Sequence, residues 1–195
     1  LLPTAAFLRA RGFDARPFAY SARRETLEDH AARLERFVAD WLDGPVETLG
    51  FLTHSMGGLV ARAYLVRERA LAQSARQRLV MLAPPNQGAH AANTFAPIVG
   101  WLLRPVSELR ADSASTVRRL PRVKDVTIGV IAARDDRTVK IPETHLAEES
   151  AHLVVGGGHS FIMSRRDVKE QVKVFLRTGA FAMGTAVPVA ASRVP

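Results

Sequence analysis

Cysteine is absent from the 195 residues of the sequence. The fold therefore contains no disulfide, no thiol nucleophile and no metal site built on thiolates. The absence does not separate a cytoplasmic protein from an exported one, because proteins of both kinds can lack cysteine. We expect a cytoplasmic location for the segment given, and export stays open because the first residue is Leu1 and a leader could precede it.

Long apolar runs are absent as well. Stretches such as residues 97–103 fall far short of the roughly 20 apolar residues that a membrane-spanning helix needs, so we expect no membrane span. Hydrophobic residues make up 47% of the sequence and charged residues 24%. This composition is typical of a globular domain and excludes a disordered or collagen-like chain.

Lysine is scarce, with four lysines beside 23 arginines, yet the basic residues outnumber 19 acidic ones and the formal net charge is +8. Such an excess raises the question of a nucleic-acid partner. The arginines stand singly or in pairs among glutamate and alanine, and no dense basic run is interleaved with aromatic residues. We therefore expect an arginine-rich solvated surface and no nucleic-acid partner; the oligomeric state stays open.

The hydrophobic pattern alternates between strands and helices. Apolar runs predict strands at residues 48–53, 78–83, 126–133 and 151–155 and a further extended segment at 13–20. Helical periodicity predicts helices at residues 3–11, 56–69 and 166–177 and one that opens at Thr26 and stops at Gly44. This order is typical of an α/β fold with a mostly parallel sheet flanked by helices on both faces.

Capping signals support two of these helices. Thr26 with Asp29, and Ser164 with Asp167, have the spacing of a capping box, and Gly179 is expected to end the last helix. We expect one domain at residues 1–178, interrupted by an insertion at 85–122, and a disordered tail at 179–195. The insertion is a candidate lid or substrate wall, with a buried helix as the open alternative; its apolar residues include Phe95, Ile98, Trp101 and Leu102.

The candidate nucleophile is Ser55, in the stretch FLTHSMGG at residues 51–58 between a predicted strand and a predicted helix. On a sharp strand-to-helix turn a serine projects its hydroxyl above the sheet, and small neighbours such as Gly57 and Gly58 let the chain bend. The stretch resembles the G-x-S-x-G nucleophile elbow of the α/β-hydrolases, in particular the bacterial lipase- and esterase-like serine hydrolases. Thr53 departs from that pattern by replacing the first glycine with a β-branched residue.

A serine needs a base before it can attack an ester at neutral pH. His159 is the candidate, because it follows the predicted strand 151–155 and three glycines that let it reach Ser55. His54 is adjacent to the serine on a strand and is expected to point away from it. We expect the other histidines at the surface or at the edge of the core: His30, His90, His145 and His152.

The acid that orients the base is expected beyond strand 126–133, where Asp135 and Asp136 stand. In lipase-like relatives the acid precedes x-x-V, a pattern that residues 136–139 match, so Asp136 is favoured over Asp135. The resulting order along the chain, serine then aspartate then histidine, is the order found in the α/β-hydrolases that the sequence resembles. The alternative is that both carboxylates lie on the surface and pair with neighbouring arginines.

The resemblance also implies an oxyanion hole made of two backbone N–H donors, one of them from Met56, directly after the serine. The second donor comes from a loop that would precede Leu1, following a strand that ends in a His-Gly motif. We therefore expect the sequence to be an N-terminally truncated copy of a hydrolase, with strands missing at its start and half an oxyanion hole.

A second resemblance lies at residues 83–89, APPNQGA, which are similar to a PNQG turn that borders the active-site cleft in the same family. Its alternative is a turn with no chemical role. Together the motifs imply a serine hydrolase that cleaves a small-molecule or lipid ester through an acyl-enzyme intermediate, and they imply no metal ion or organic cofactor. Amidase, thioesterase and acyltransferase activities on the same triad stay open, as does a non-catalytic binding protein.

Overall fold

A computed structural model describes residues 1–20, 26–67, 76–87 and 120–182. The strands are β1 (Thr48–His54), β2 (Arg76–Leu82), β3 (Val126–Ala133) and β4 (Ala151–Val155). The helices are α1 (Leu2–Arg9), α2 (Leu27–Trp41), α3 (Gly57–Leu65), α4 (Ile141–Thr144) and α5 (Arg166–Thr178), with a 3₁₀ turn at Phe161–Met163. The candidate lid residues Phe95, Ile98, Trp101 and Leu102 and most of the predicted tail lie outside the described residues.

The four strands form one parallel sheet in the order β1-β2-β3-β4. All four carboxyl ends therefore meet at one edge of the sheet, where ligand and catalytic sites of open α/β sheets lie. The sheet brings to that edge three segments that are distant in sequence, because Ser55 follows β1, Asp136 follows β3 and the loop of His159 follows β4. The predicted fold class, a parallel sheet flanked by helices, is confirmed.

Apolar side chains cover both faces of the sheet. In β2 the fully buried residues alternate, with Leu79 and Met81 in the core on one face and Val80 and Leu82 in the core on the other. Helices α2 and α3 contribute to the first core, and α1 and α5 contribute to the second. Continuous burial along a strand is expected when helices cover both faces of a parallel sheet.

Residues 13–20, which the sequence predicts to be extended, form neither a helix nor a strand. A groove of about 880 Å³ runs along the outer edge of β1, and residues of both β1 and the 13–20 segment line it. The segment is therefore held away from the edge strand with which its backbone would have to pair. Its rings pack on α2 instead, with Phe18 against Phe37 and Tyr20 against His30.

Of the two capping boxes that the sequence predicts, one is present at the start of α2 and the other is absent at the start of α5. Thr26 and Asp29 form the predicted box at the start of α2. At α5 the N-cap is Arg165 rather than Ser164, because the Ser164 hydroxyl donates to the Phe161 carbonyl and Asp167 pairs with Arg165. Gly179 ends α5 with a φ of 83°, as predicted.

The described helices include none that is long and apolar enough to span a lipid bilayer.

Candidate active site

Ser55 sits on a strained turn between β1 and α3. Its φ is 52°, a left-handed value that a residue with a side chain rarely adopts. Two backbone hydrogen bonds hold the turn: the Ser55 N–H donates to the Leu82 carbonyl at 2.9 Å, and the Gly58 N–H donates to the Ser55 carbonyl at 3.0 Å. The sharp strand-to-helix turn that the sequence predicts around Ser55 is present.

The two glycines of the motif differ in the room around them, since a Cβ on Gly57 would meet only ordinary contacts, the nearest at 3.5 Å from the Tyr20 hydroxyl. A Cβ on Gly58 would come within 2.5 Å of Met81 Cε, so α3 packs closely against β2 at this point. Thr53 causes no conflict, because its hydroxyl donates to the Val80 carbonyl at 3.3 Å and its side chain lies against Gly57 and Gly58. The departure from the glycine pattern is therefore accommodated by packing and by one hydrogen bond.

His159 lies between Ser55 and Asp136. Its Nε2 atom is 3.0 Å from the Ser55 Oγ, and its Nδ1 atom is 2.6 Å from the Asp136 Oδ2. The His159 side chain is 16% exposed and that of Asp136 is 1% exposed, so the carboxylate is buried and the ring stays reachable. Because the carboxylate accepts, Nδ1–H donates to it, and Nε2 keeps a lone pair for the serine hydroxyl.

Three hydrogen bonds hold the Asp136 carboxylate. Oδ2 accepts from His159, and Oδ1 accepts from the Thr138 N–H at 2.7 Å and the Val139 N–H at 2.9 Å. Burial by itself raises the pKa of Asp136, but the hydrogen bonds from His159, Val139 and Thr138 outweigh it and lower the pKa below its usual value. Asp136 is therefore ionised at neutral pH.

Asp135 is directed elsewhere. Its Oδ2 accepts from the Gly157 N–H at 2.9 Å, and its own N–H donates to the Gly157 carbonyl at 3.1 Å. Asp135 thus braces the loop that carries His159 without touching the ring. Of the two aspartates that the sequence singles out, the structure places Asp136 in contact with the His159 ring, and Asp135 in contact with the backbone of Gly157.

Met56 is the N-cap of α3, directly after Ser55. Within the described residues no hydrogen bond engages its N–H. The N-terminus of a helix carries partial positive charge and unpaired N–H groups, so this position suits a negatively charged oxygen. The geometry is compatible with the oxyanion donor that the sequence predicts.

His54 has a contact that sequence reasoning missed. Its Nε2 atom lies 2.9 Å from the backbone carbonyl oxygen of His159, and the two rings stand 4.7 Å apart. Burial lowers the pKa of His54 to about 4, which the hydrogen bond to His159 only partly offsets. The signal in the sequence was that His54 is adjacent to Ser55. The sequence prediction said only that the ring points away from the serine and named no partner for it.

Asn86 of the PNQG turn is buried and joins three elements. Its amide nitrogen donates to the Thr144 carbonyl at the end of α4 at 2.8 Å, and its amide oxygen accepts from the buried Arg62 of α3 at 3.3 Å. The neighbouring Gln87 N–H donates to the Glu143 carbonyl. The turn therefore ties the elbow helix to α4, which follows the Asp136 loop.

No protein-family model matches the sequence, and no curated protein sequence matches it significantly. Solved structures do share its fold. The mature lipase of Bacillus licheniformis has a TM-score of 0.59 at 15% identity, over 80% of this chain and 76% of that one. Phospholipase PlaB of Legionella pneumophila has a TM-score of 0.66 at 15% identity, over 92% of this chain and 56% of that one.

A further neighbour is the type II thioesterase BorB from the borrelidin biosynthetic cluster, with a TM-score of 0.53 at 20% identity, over 80% of this chain and 73% of that one. The neighbours are thus hydrolytic enzymes of one architecture. The chain has the α/β-hydrolase fold, as the sequence predicts.

Proposed function

We propose that the protein is a serine hydrolase that cleaves carboxylic esters. Ser55 is the nucleophile, His159 is the general base and then the general acid, and Asp136 orients the imidazole. The observation that carries the proposal is the unbroken line of hydrogen bonds from Ser55 Oγ through His159 to Asp136, at 3.0 and 2.6 Å. It is supported by its place at the carboxyl edge of an α/β-hydrolase sheet.

In the first half of the reaction the Ser55 Oγ attacks the acyl carbon while its proton passes to the His159 Nε2. The tetrahedral intermediate then collapses: the bond to the alkoxy oxygen breaks, and the His159 proton goes to the departing alcohol. Asp136, held ionised by its three hydrogen bonds, stabilises the imidazolium that forms between these steps. The products of this half are an alcohol and an acyl-Ser55 ester.

In the second half a water molecule takes the place of the alcohol. His159 removes a proton from the water as its oxygen attacks the acyl carbon, and returns that proton to the Ser55 Oγ as the acyl–oxygen bond breaks. A carboxylic acid leaves and the free serine is restored. In both halves the Met56 N–H is proposed to donate to the oxyanion, with the N-terminus of α3 adding favourable electrostatics.

The choice of an ester as substrate is supported by the fold neighbours that are a lipase and a phospholipase. We further propose that Phe161, which lies two residues beyond His159 and is 75% exposed, contacts an apolar acyl or alcohol group of the substrate. Thioester hydrolysis is the second candidate, because type II thioesterases are among the neighbours at a comparable TM-score. Both reactions use the same nucleophile and base.

A matched substrate panel tests the proposal. p-Nitrophenyl esters of increasing acyl length, with the corresponding acyl thioesters and anilides, are offered to the protein and to Ser55→Ala. We expect the esters to give the highest kcat/KM and Ser55→Ala to lose at least about 10⁴-fold in rate. Ser164→Ala, which removes an exposed hydroxyl bonded to the Phe161 carbonyl, is the control and keeps its activity.

Higher kcat/KM for thioesters than for esters would instead favour the thioesterase. Turnover of none of the acyl substrates, or equal turnover by the protein and Ser55→Ala, would reject a serine hydrolase altogether.

A further inference from the structure

A second cluster of polar side chains lies apart from Ser55 and His159, on the connection between α4 and β4. His145 directly follows α4, Glu149 comes four residues later, and His152 is the second residue of β4. One potential metal-binding atom from each of the three lies within 4.8 Å of the other two. Across the described ranges, no other group of three such side chains meets in this way.

The two imidazoles of the cluster are stacked. Their ring centroids are 4.0 Å apart and their planes differ by 19°. The Glu149 carboxylate lies beside the His145 ring, with its Oε1 atom 2.7 Å from the His145 Nδ1. Two imidazoles and one carboxylate are thus held together by a short stretch of chain.

The orientation of the His152 ring follows from its partner. The Thr144 hydroxyl donates its one hydrogen to the Ile141 carbonyl at 2.7 Å, so its oxygen accepts from the His152 Nε2 at 2.9 Å. Nε2 therefore carries the hydrogen, and Nδ1 keeps its lone pair. A metal-binding histidine generally donates its other N–H to an oxygen in this manner, which fixes the ring and its tautomer.

The carboxylate of Glu149 is fixed as well. Its Oε2 atom accepts from the Leu146 N–H at 3.1 Å, and the Glu149 N–H donates to the Leu146 carbonyl at 3.1 Å. These bonds close a tight turn that leaves Oε1 directed at the histidines. His145 is the ligand that can adjust, since its side chain is 51% exposed. Its Nδ1–H donates to the Glu149 Oε1 at 2.7 Å, so an ion bound at this nitrogen requires the tautomer with the hydrogen on Nε2.

We propose that His145, Glu149 and His152 bind one divalent transition-metal ion, of which zinc is the best match. Two imidazoles and a carboxylate form a ligand set that zinc accepts, with water in the fourth position. Zinc bonds of about 2.0–2.2 Å place tetrahedral ligand atoms about 3.4 Å apart. The three candidate ligand atoms lie within 4.8 Å of one another, and a rotation of the exposed His145 ring brings them to the shorter distance. Calcium and magnesium prefer all-oxygen sites and are not expected here.

The role of this ion is structural. His152 stands three residues before the end of β4, about 10 Å along the strand, and the loop of His159 begins only after that end. The ion would join the end of α4 to β4, and thus hold together the two segments that follow Asp136 and precede His159. The ion is proposed to take no part in the reaction at Ser55.

The test uses tag-free protein that has been treated with a chelator and dialysed. Calorimetric titration with Zn²⁺ should show one ion per chain, and Co²⁺ should give the visible absorption bands of a tetrahedral site. His145→Gln, Glu149→Gln and His152→Gln should each weaken binding at least tenfold. Glu47→Gln, at an exposed glutamate that pairs with Arg76, is the matched control and should bind like the parent.

Thermal unfolding supplies an independent readout. Zn²⁺ should raise the Tm of the parent and of Glu47→Gln and leave that of His145→Gln unchanged; this ring is half exposed, so its replacement leaves a folded protein. Absence of saturable binding below about 100 µM Zn²⁺, or equal binding by the parent and the histidine variants, would overturn the site. Ester hydrolysis is not the readout, so failure of the proposed activity does not affect the result.

Discussion

The Nε2 atom of His54 lies 2.9 Å from the backbone carbonyl oxygen of His159. A carbonyl oxygen only accepts, so the His54 ring donates this hydrogen bond. The bond connects the last residue of β1, next to Ser55, with the loop that carries the imidazole facing Ser55. Both members of the reacting pair are thereby held relative to each other by one side chain.

Loss of this bond is expected to slow catalysis. His54→Ala should lower kcat/KM for ester hydrolysis by about tenfold to a hundredfold, because small displacements of a catalytic group are costly. His54→Gln, whose amide can donate to the same carbonyl, should recover part of the loss. Steady-state kinetics of both variants check this. Equal rates for alanine and glutamine would show that the hydrogen bond does not position His159.

His54 should also make the stability of the protein depend on pH. Burial lowers the pKa of His54 in the folded protein to about 4, whereas an unfolded histidine has a pKa of about 6.5. Between these values the unfolded chain binds the extra proton, so stability falls as the pH drops from about 6.5 to 4. The titratable groups that act on His54 are the His159 ring, the Leu1 amino group and the Asp136 carboxylate.

His54→Gln lacks this titration. The difference in free energy of unfolding between the protein and His54→Gln should therefore shift in favour of the variant as the pH falls through this window. Denaturant unfolding at several pH values measures it. His152, whose pKa burial also lowers to about 4, is present in both proteins and cancels. A difference that does not change with pH would contradict the prediction.

The two aspartates should differ sharply in kinetics. Asp136→Asn removes the charge that stabilises the His159 imidazolium and presents an amide to Nδ1, so kcat should fall by roughly 10³- to 10⁴-fold. Asp135→Asn keeps an oxygen that can accept from the Gly157 N–H and should keep kcat within about threefold. Steady-state kinetics of the pair decide the assignment. The reverse order would move the acid to Asp135.

Asn86→Ala should destabilise the protein. The substitution leaves the buried Arg62 guanidinium and the Thr144 carbonyl each without the partner that Asn86 provides. An unsatisfied buried polar group costs about 1–3 kcal/mol, so we expect a loss of about 2 kcal/mol in the free energy of unfolding. Chemical denaturation measures it. The neighbouring Gln87→Ala is the control, since the Gln87 side chain is only partly buried and loses just an exposed hydrogen bond to the His145 carbonyl. A loss as large there would refute the role of Asn86.

The sequence predicted the sheet well where local signals suffice. Strands β3 and β4 have their predicted bounds, because each is a short apolar run bordered by polar or glycine residues. The turn at Ser55 was also predictable, since a strand, a serine and two glycines in succession leave few conformations. The sequence did not show that residues 13–20 stay outside the sheet, because an extended segment becomes a strand only when another edge lies within hydrogen-bonding reach.

Contacts between distant residues account for the rest. His54 and Asn86 are polar residues in motifs that were noticed, yet their partners lie 105 and 58 positions away. The cluster of His145, Glu149 and His152 is close in sequence, but its convergence depends on how α4 and β4 pack. Spacing alone carried no signal for it, as no single helix or strand holds all three residues.

The most direct measurement of the central claim is covalent labelling with a fluorophosphonate probe, which reacts with a serine that an adjacent histidine activates. The protein is predicted to take up one equivalent at Ser55, located by peptide mass spectrometry, while Ser55→Ala takes up none and Ser164→Ala labels like the parent. A folded protein that fails to label, or that labels equally after Ser55→Ala, would contradict the assignment of Ser55, His159 and Asp136 as a catalytic triad.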